Sequence, residues 1–334
     1  EEFNMRQVLL ATTALVAMGC VSASSADVTI GGVTISGGYE LKYITWSDTT
    51  TESPATTNNS SLTDTISVYI DFVETLDNGM SMTMYIGQDE TSTAAFDDFG
   101  ASISGDFGTI GIGGESGVAF ATATDVTDDS SNSISVTDAI DYDSANDIVL
   151  PGDEQLPAAT VSYLSRDISG FQFSVGMTDT LDYSDTTLMG AQYVMAAGAA
   201  SVTLKYAASS TGKTTSLSTD NVDATSAGLV ITAGAATLTI AQNTVSMGSV
   251  TDYTANSAGV TYKLSDTLTL QAYTGTTEDD KDTTYDLQDT GLGFTYTIAA
   301  NLTASVTHNQ WDLKSDDIAA EDGDSTTLAF NLSF

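Results

Sequence analysis

From residue 33 onward, apolar residues in this chain recur at every second position and almost nowhere at every third or fourth. A period of two sends successive side chains to opposite faces of an extended strand, and a helix would need a period near 3.6. In "TISVYIDF", Ile66, Val68, Ile70 and Phe72 share one face, and Ser67, Tyr69 and Asp71 the other. Asp77-Asn78-Gly79 follows, a hairpin-turn signal, and then "MSMTMYIG" sets Met80, Met82, Met84 and Ile86 against Ser81, Thr83, Tyr85 and Gly87. "FQFSVGMT" and "GLGFTYTI" read the same way. So does the closing "TTLAFNLSF", with Leu328, Phe330, Leu332 and Phe334 opposite Thr327, Ala329, Asn331 and Ser333. The chain is therefore all-β.

Sixteen such segments are expected, at about 33–46, 64–76, 80–90, 97–104, 107–114, 159–167, 171–179, 188–196, 200–208, 225–233, 236–243, 255–264, 267–276, 290–299, 302–311 and 325–334. Their connections alternate in length. Short ones fall at Asn78-Gly79, Gly105–Asp106, Asp167–Gly170, Ser265–Asp266 and Ala300–Asn301; long ones are Ser- and Thr-rich or acidic, such as "SDTTTESPATTNNSS" and "TTEDDKDTTYDLQ". Pro54, Pro151 and Pro157 all lie in long connections, as a ladder that needs its N–H donors requires. An even strand number with short turns at one end and long loops at the other predicts a sixteen-stranded antiparallel transmembrane β-barrel. The apolar face would touch lipid and the Thr-, Ser-, Gly- and Asn-rich face would line water. Closure pairs every backbone group in a medium that offers no other partner. The alternative is a secreted soluble β-rich adhesin, whose apolar face would pack against a second sheet.

Forty-five Asp and Glu oppose eight Lys and Arg, for a net charge of −37. That balance excludes nucleic acid, whose phosphates must be met by bases. It equally excludes an electrostatic anchor to anionic headgroups, and it makes metal cations the natural counterions. At the start, Arg6, the apolar run "VLLATTALVAMG" and the small residues "VSASSA" have the form of an export signal cleaved after Ala26. "EEFN" ahead of Met5 is excluded from the fold, so residues 1–26 are read as extension and signal and residues 27–334 as one barrel domain. The one cysteine, Cys20, leaves with the signal; the other reading, a lipidated cysteine in "MGC", is opposed by Ala17, where a bulky aliphatic residue is preferred.

One connection is far longer than the rest. Roughly forty-four residues separate the fifth and sixth strands, and loops of that length in a compact structure are functional or disordered. It carries Val118, Phe120, Ile134, Val136, Ile140, Tyr142, Ile148, Val149 and Leu150, enough to pack against a wall. "SGDFGTIGIG" (Ser104–Gly113) leads into it and "ANDIVLPGDE" (Ala145–Glu154) ends it. With "SGFQFSVGMTD" (Ser169–Asp179) and the closing strand, these words make the chain resemble the general-diffusion porins of alphaproteobacteria. The resemblance implies a trimeric outer-membrane barrel whose loop after strand 5 folds inward and narrows the channel. By position it assigns the acidic side of that constriction to Asp125, Asp128, Asp129, Asp138, Asp141, Asp143, Asp147, Asp153 and Glu154. It also implies bound structural calcium in the loop, with Asp147, Asp153 and Glu154 as ligands; no cofactor is expected to be required. A final strand ending on Phe334 resembles the signal by which barrel precursors are recognised for assembly.

In that family a dense cluster of Arg and Lys faces the acids. Here strand parity turns only Glu40 and Lys42 on the first strand and Lys205 on the ninth towards the lumen, while Arg166 and Lys263 sit near short turns and Lys213, Lys281 and Lys314 in loops. The expectation is a cation-preferring channel for ions and small hydrophilic solutes, with a substrate-selective channel as the second reading. Trp46 and Trp311 lie near strand ends, where interfacial aromatic girdles form, although parity turns Trp46 inward unless a bulge intervenes. No catalysis is expected. His308 is the only histidine, no cysteine outlasts the signal, and "GIGGESG" has no Lys with which to hold a phosphate.

Overall fold

The structure is a computed structural model that describes residues 28–30, 32–50, 57–89, 98–112, 161–180, 183–211, 222–246, 252–279, 286–314 and 321–334. In chain order the strands are β1 (Val28–Ile30), β2 (Val33–Thr50), β3 (Thr57–Thr75), β4 (Ser81–Asp89), β5 (Asp98–Gly105), β6 (Gly108–Ile112), β7 (Val161–Leu164), β8 (Phe171–Thr180) and β9 (Tyr183–Ala197). They continue with β10 (Ala200–Thr211), β11 (Val222–Ala233), β12 (Ala236–Ser246), β13 (Asp252–Lys263), β14 (Leu268–Asp279), β15 (Asp286–Ala299), β16 (Leu302–Lys314) and β17 (Glu321–Ser333). Each strand from β2 to β17 pairs antiparallel with the next, and β17 returns to β2, so these sixteen close into a barrel. The described residues contain no helix long and apolar enough to cross a membrane; a barrel crosses with strands.

Every expected segment is a strand, but many run further towards the long-loop end than the apolar pattern reaches. β3 begins at Thr57, β9 at Tyr183, and β14 continues to Asp279. The reason lies in the side chains there. Ser210 donates to Asp223 (2.5 Å), Ser246 to Asp252 (2.5 Å), and Thr225 bonds Thr244 (2.6 Å), all across neighbouring strands. Above an apolar band both faces of a strand are wet, so pairing continues on polar side chains and the alternation that marks a strand disappears. At the opposite end turn chemistry does the work. Gly79 takes φ +81°, which its missing Cβ permits, and the Met80 N–H caps on Asn78 Oδ1 (3.1 Å).

Directly paired residues share a face, so the register sorts the wall. One face carries Ile66, Val68, Phe72, Met82, Met84, Ile103, Ile110, Val175, Met177, Leu270, Leu292 and Phe294, at 39–65% exposure apart from Phe72 at 36%. So much exposed apolar surface is the lipid-facing outside. The inner face is the buried one, and it is not uniformly polar. Ile44 and Ala207 are wholly buried there, with Leu287 and Leu188 nearly so.

β1 adds a feature that the alternation did not reveal. It pairs with Val33–Ile35 of β2 on the edge that β17 leaves vacant, since β17 reaches only Gly38, and Phe334 exchanges two backbone hydrogen bonds with Gly37 (2.8 and 3.0 Å).

Candidate functional site: the inner wall

Sixteen strands about 4.8 Å apart and tilted near 40° make a cylinder roughly 30 Å across. β2 and β10 are eight strands apart in that ring and so face each other across the lumen. On β2 the pairs Glu40–Asn331, Lys42–Ala329 and Ile44–Thr327 keep Glu40, Lys42 and Ile44 on the inner face, as parity requires. Lys42 Nζ lies 3.2 Å from Glu40 Oε1, both about one-third exposed, so the two form an ion pair along one strand. Glu40 also borders a recess of about 350 Å³ with Thr65, Ser67, Asn301 and Asn331. On the opposite wall Lys205 is inward and buried. Gln192 and Gly228 flank it, and Gln192 Nε2 donates to Gln172 Oε1 (2.6 Å) in the same row.

Glu40, Lys42 and Lys205 are therefore on the lumen wall but not in one cluster. Asp125, Asp128, Asp129, Asp138, Asp141, Asp143, Asp147, Asp153 and Glu154 lie outside the described residues. Besides Lys42 and Lys205, the one base on the described inner face is Lys263, the last residue of β13. Lys314 is outward, 3.5 Å from Asp312. Among the described residues no three or more His, Cys, Asp or Glu come together as a metal would need. His308 is on the lipid face, bonded through Nδ1 to Thr326 Oγ1 (3.0 Å), away from any lumenal chemistry.

Two findings depart from the sequence reading. No bulge interrupts β2 near its upper end: Trp46 pairs with Ser325 and Asn59 in unbroken register and is inward. Trp311, paired with Asp289 and Gly323, is inward as well. Neither belongs to a lipid-side girdle. The Trp311 ring lies over Gly323, the Tyr273 ring over Gly291 and the Tyr85 ring over Gly100, each filling the space of an absent Cβ. The second finding is Asp289, 2% exposed on the inner wall with neither carboxylate oxygen hydrogen-bonded. Parity from Leu292 and Phe294 would have turned Asp289 inward; its burial depends on neighbours that the alternation does not reveal.

A family model described as Gram-negative porin matches residues 11–334. No curated protein matches the chain. Among solved structures, an anion-selective porin from Comamonas acidovorans is 11% identical with a TM-score of 0.62, over 90% of this chain and 100% of that one. The outer-membrane OmpT of Vibrio cholerae is 12% identical with a TM-score of 0.63, over 92% of this chain and all of its own. A mutant Rh. blastica porin is 13% identical with a TM-score of 0.56, over 90% and 100%. At such identities the likeness is one of fold.

Proposed function

Because the chain belongs to the Gram-negative porin family, an outer-membrane channel by fold and family, we propose that it passes ions and small hydrophilic solutes by passive diffusion and prefers cations. The observation that carries the preference is the thin supply of inward bases. On the described wall, Lys42 is paired with Glu40, and Asp71, Asp279 and Asp289 add further inward carboxylates. The whole chain carries −37. A lumen with that balance raises the local concentration of cations and lowers that of anions. The anion-selective relative shares the barrel and little of the sequence, so its charge preference does not transfer with the fold. Reversal potentials in planar bilayers under a KCl gradient test the proposal: the expected sign is cationic, and an anionic reversal potential refutes it.

An inward-folded segment between β6 and β7 would supply the narrow part of the channel, with Asp125, Asp128, Asp129, Asp138, Asp141, Asp143, Asp147, Asp153 and Glu154 as its acids. Full burial of Ile44 and Leu287 on the inner face supports it, since an open lumen would wet them. Calcium held by Asp147, Asp153 and Glu154 would offset the repulsion among close carboxylates. Homotrimeric assembly fits the same family, and a trimer form is among the solved relatives. Residues 1–26 act in this reading as a signal removed on export. No catalytic step is assigned to any residue.

The inward rings of Trp46, Trp311 and Tyr273 favour a second reading, a channel selective for solutes with an apolar face, such as sugars. Liposome-swelling rates separate the two. Passive diffusion orders sugars by size alone, whereas a selective channel saturates with one of them.

A further inference from the structure

We propose that the outer wall across β10–β14 carries a groove for one acyl chain of an outer-leaflet lipid whose head is uncharged and bears hydroxyl and carbonyl groups. The groove has a volume of about 750 Å³ and lies between two register rows of outward side chains. Leu204, Leu229, Ile240 and Ala258, paired in turn across neighbouring strands, line one side. Ala227, Gln242, Asn256 and Thr276 line the other in the same way. The floor is the backbone of the row between them, from Lys205 to Gly275, whose side chains turn to the lumen. Leu204 and Ile240 are 44% and 45% exposed, so the groove is open on the lipid side. The proposal rests on the outer-membrane placement of the barrel and on nothing about what the channel conducts.

Five strands about 4.8 Å apart make the groove about 19 Å long. One acyl chain spans about 15 Å, half of the hydrocarbon core, so the groove fits a single chain with its linkage. Ala227 and Ala258 interrupt rows of larger side chains and leave the room. The two ends differ in polarity. On β10 and β11 the sides are Leu204, Leu229 and Ala227, and on β13 and β14 they include Asn256, Thr274 and Thr276. The row also climbs. Lys205 stands five residues above Ala200, where β10 leaves its short turn, and Gly275 seven above Leu268, where β14 does. The polar end is therefore nearer the long loops, the external side of such a barrel, as a lipid with its head outward requires. At that end Gln242 Nε2 donates to Asn256 Oδ1 (2.8 Å). This leaves the Gln242 oxygen to accept and the Asn256 nitrogen to donate, which a hydroxyl and an ester or amide carbonyl answer. The charged residues on the outward face of these strands, among those described, are Asp223, Asp252 and Glu278. All are acids, so a phosphate head would be repelled.

The test uses the folded barrel in a tetraoxyethylene octyl ether detergent, with bound lipid counted by native mass spectrometry. The probes are monopalmitoylglycerol and its 3-phosphate, which share chain and ester and differ in charge. The expected result is one monopalmitoylglycerol per barrel at the lowest concentrations, held more tightly than the phosphate. Ala227→Leu with Ala258→Leu fills the groove and should weaken binding about tenfold or more, through the chain methylenes it displaces. Gln242→Leu with Asn256→Leu should weaken it about tenfold, the worth of one or two hydrogen bonds, and it carries the test if the filled barrel does not fold. Ala101→Leu, the same change on the outward face of β5, should leave binding unchanged. Equal binding by the parent and a folded filled barrel overturns the groove, as does equal loss in Ala101→Leu or tighter binding of the phosphate. A second copy of the chain seated on this face would leave the parent without probe and change the oligomeric state of the filled variant, which overturns it too. No readout involves conductance, so a wrong ion preference for the channel leaves this result standing.

Discussion

At the scale of single residues, the wall is organised by aromatic rings lying across glycines of the neighbouring strand. Trp311 over Gly323 is the tightest case that also involves backbone: a Cβ at Gly323 would stand 2.4 Å from Trp311 Cζ2 and 2.6 Å from the Ser47 carbonyl oxygen. The ring can turn, but the carbonyl belongs to the β17–β2 ladder and cannot. Gly323→Ala should therefore cost about 1–3 kcal/mol, as overpacking does, and lower the sample-heating temperature at which the folded barrel converts to the unfolded monomer on gels. Gly259 is the control. Its nearest neighbours would stand 3.7 Å away, ordinary contact, so Gly259→Ala should leave that temperature unchanged or raise it slightly, since glycine weakens a strand interior. Nothing in the alternation distinguishes these two glycines. Both are inward by parity, and what separates them is the close approach of a partner ring and of the Ser47 carbonyl at Gly323 alone.

Among the elements, β2 stands out because it has three partners. β3 runs along one edge; β17 and β1 share the other, β17 from Gly38 upward and β1 over Val33–Ile35. Unpaired backbone at a barrel edge is costly in lipid and is a template for mispairing. A chain shortened to begin at Val33 should still close, because the β17–β2 ladder is intact, but its folded form should convert at a lower temperature than that of a chain beginning at Asp27. Failure to close at all would show that β1 takes part in assembly itself. The sixteen barrel strands were readable in the sequence because lipid on one side and a polar interior on the other enforce a period of two. β1 was not, since three residues are too few to display a period. Neither were the upper ends of β3, β9 and β14, where Ser, Thr and Asp occupy both faces.

For the whole molecule, the closed ring turns a list of charges into a field. Glu40 and Lys42 stand on one wall and Lys205 on the opposite one, roughly 30 Å apart across the barrel. That span exceeds the Debye length of about 10 Å at 0.1 M salt and far exceeds the 3 Å at 1 M. Cation preference should therefore fall towards unity between 0.1 M and 1 M KCl, as reversal potentials at the two concentrations would report. Lys205→Glu should shift the 0.1 M reversal potential further in the cationic direction; a shift the other way would place Lys205 outside the conducting path. Unheated gels and light scattering of the detergent-extracted protein give the oligomeric state, with a trimer expected.

Strand number, the outward and inward faces, the acidity and the place of the long connection all follow from local pattern, because each is a property of residues two apart or of a simple count. The inward set Glu40, Lys42 and Lys205 belongs with these, since a strand has only two faces. Which inward residues meet is another matter. That β2 opposes β10, that Gln192 and Gly228 flank Lys205, that no bulge displaces Trp46 from the lumen, and that Asp289 loses its water beside Asn309 and Tyr273 all depend on register and closure. Pairing brings together positions that the chain separates by tens or hundreds of residues. Alternation constrains the face on which each residue lies and leaves its neighbour across the ladder free, so those contacts arise only when the ring closes.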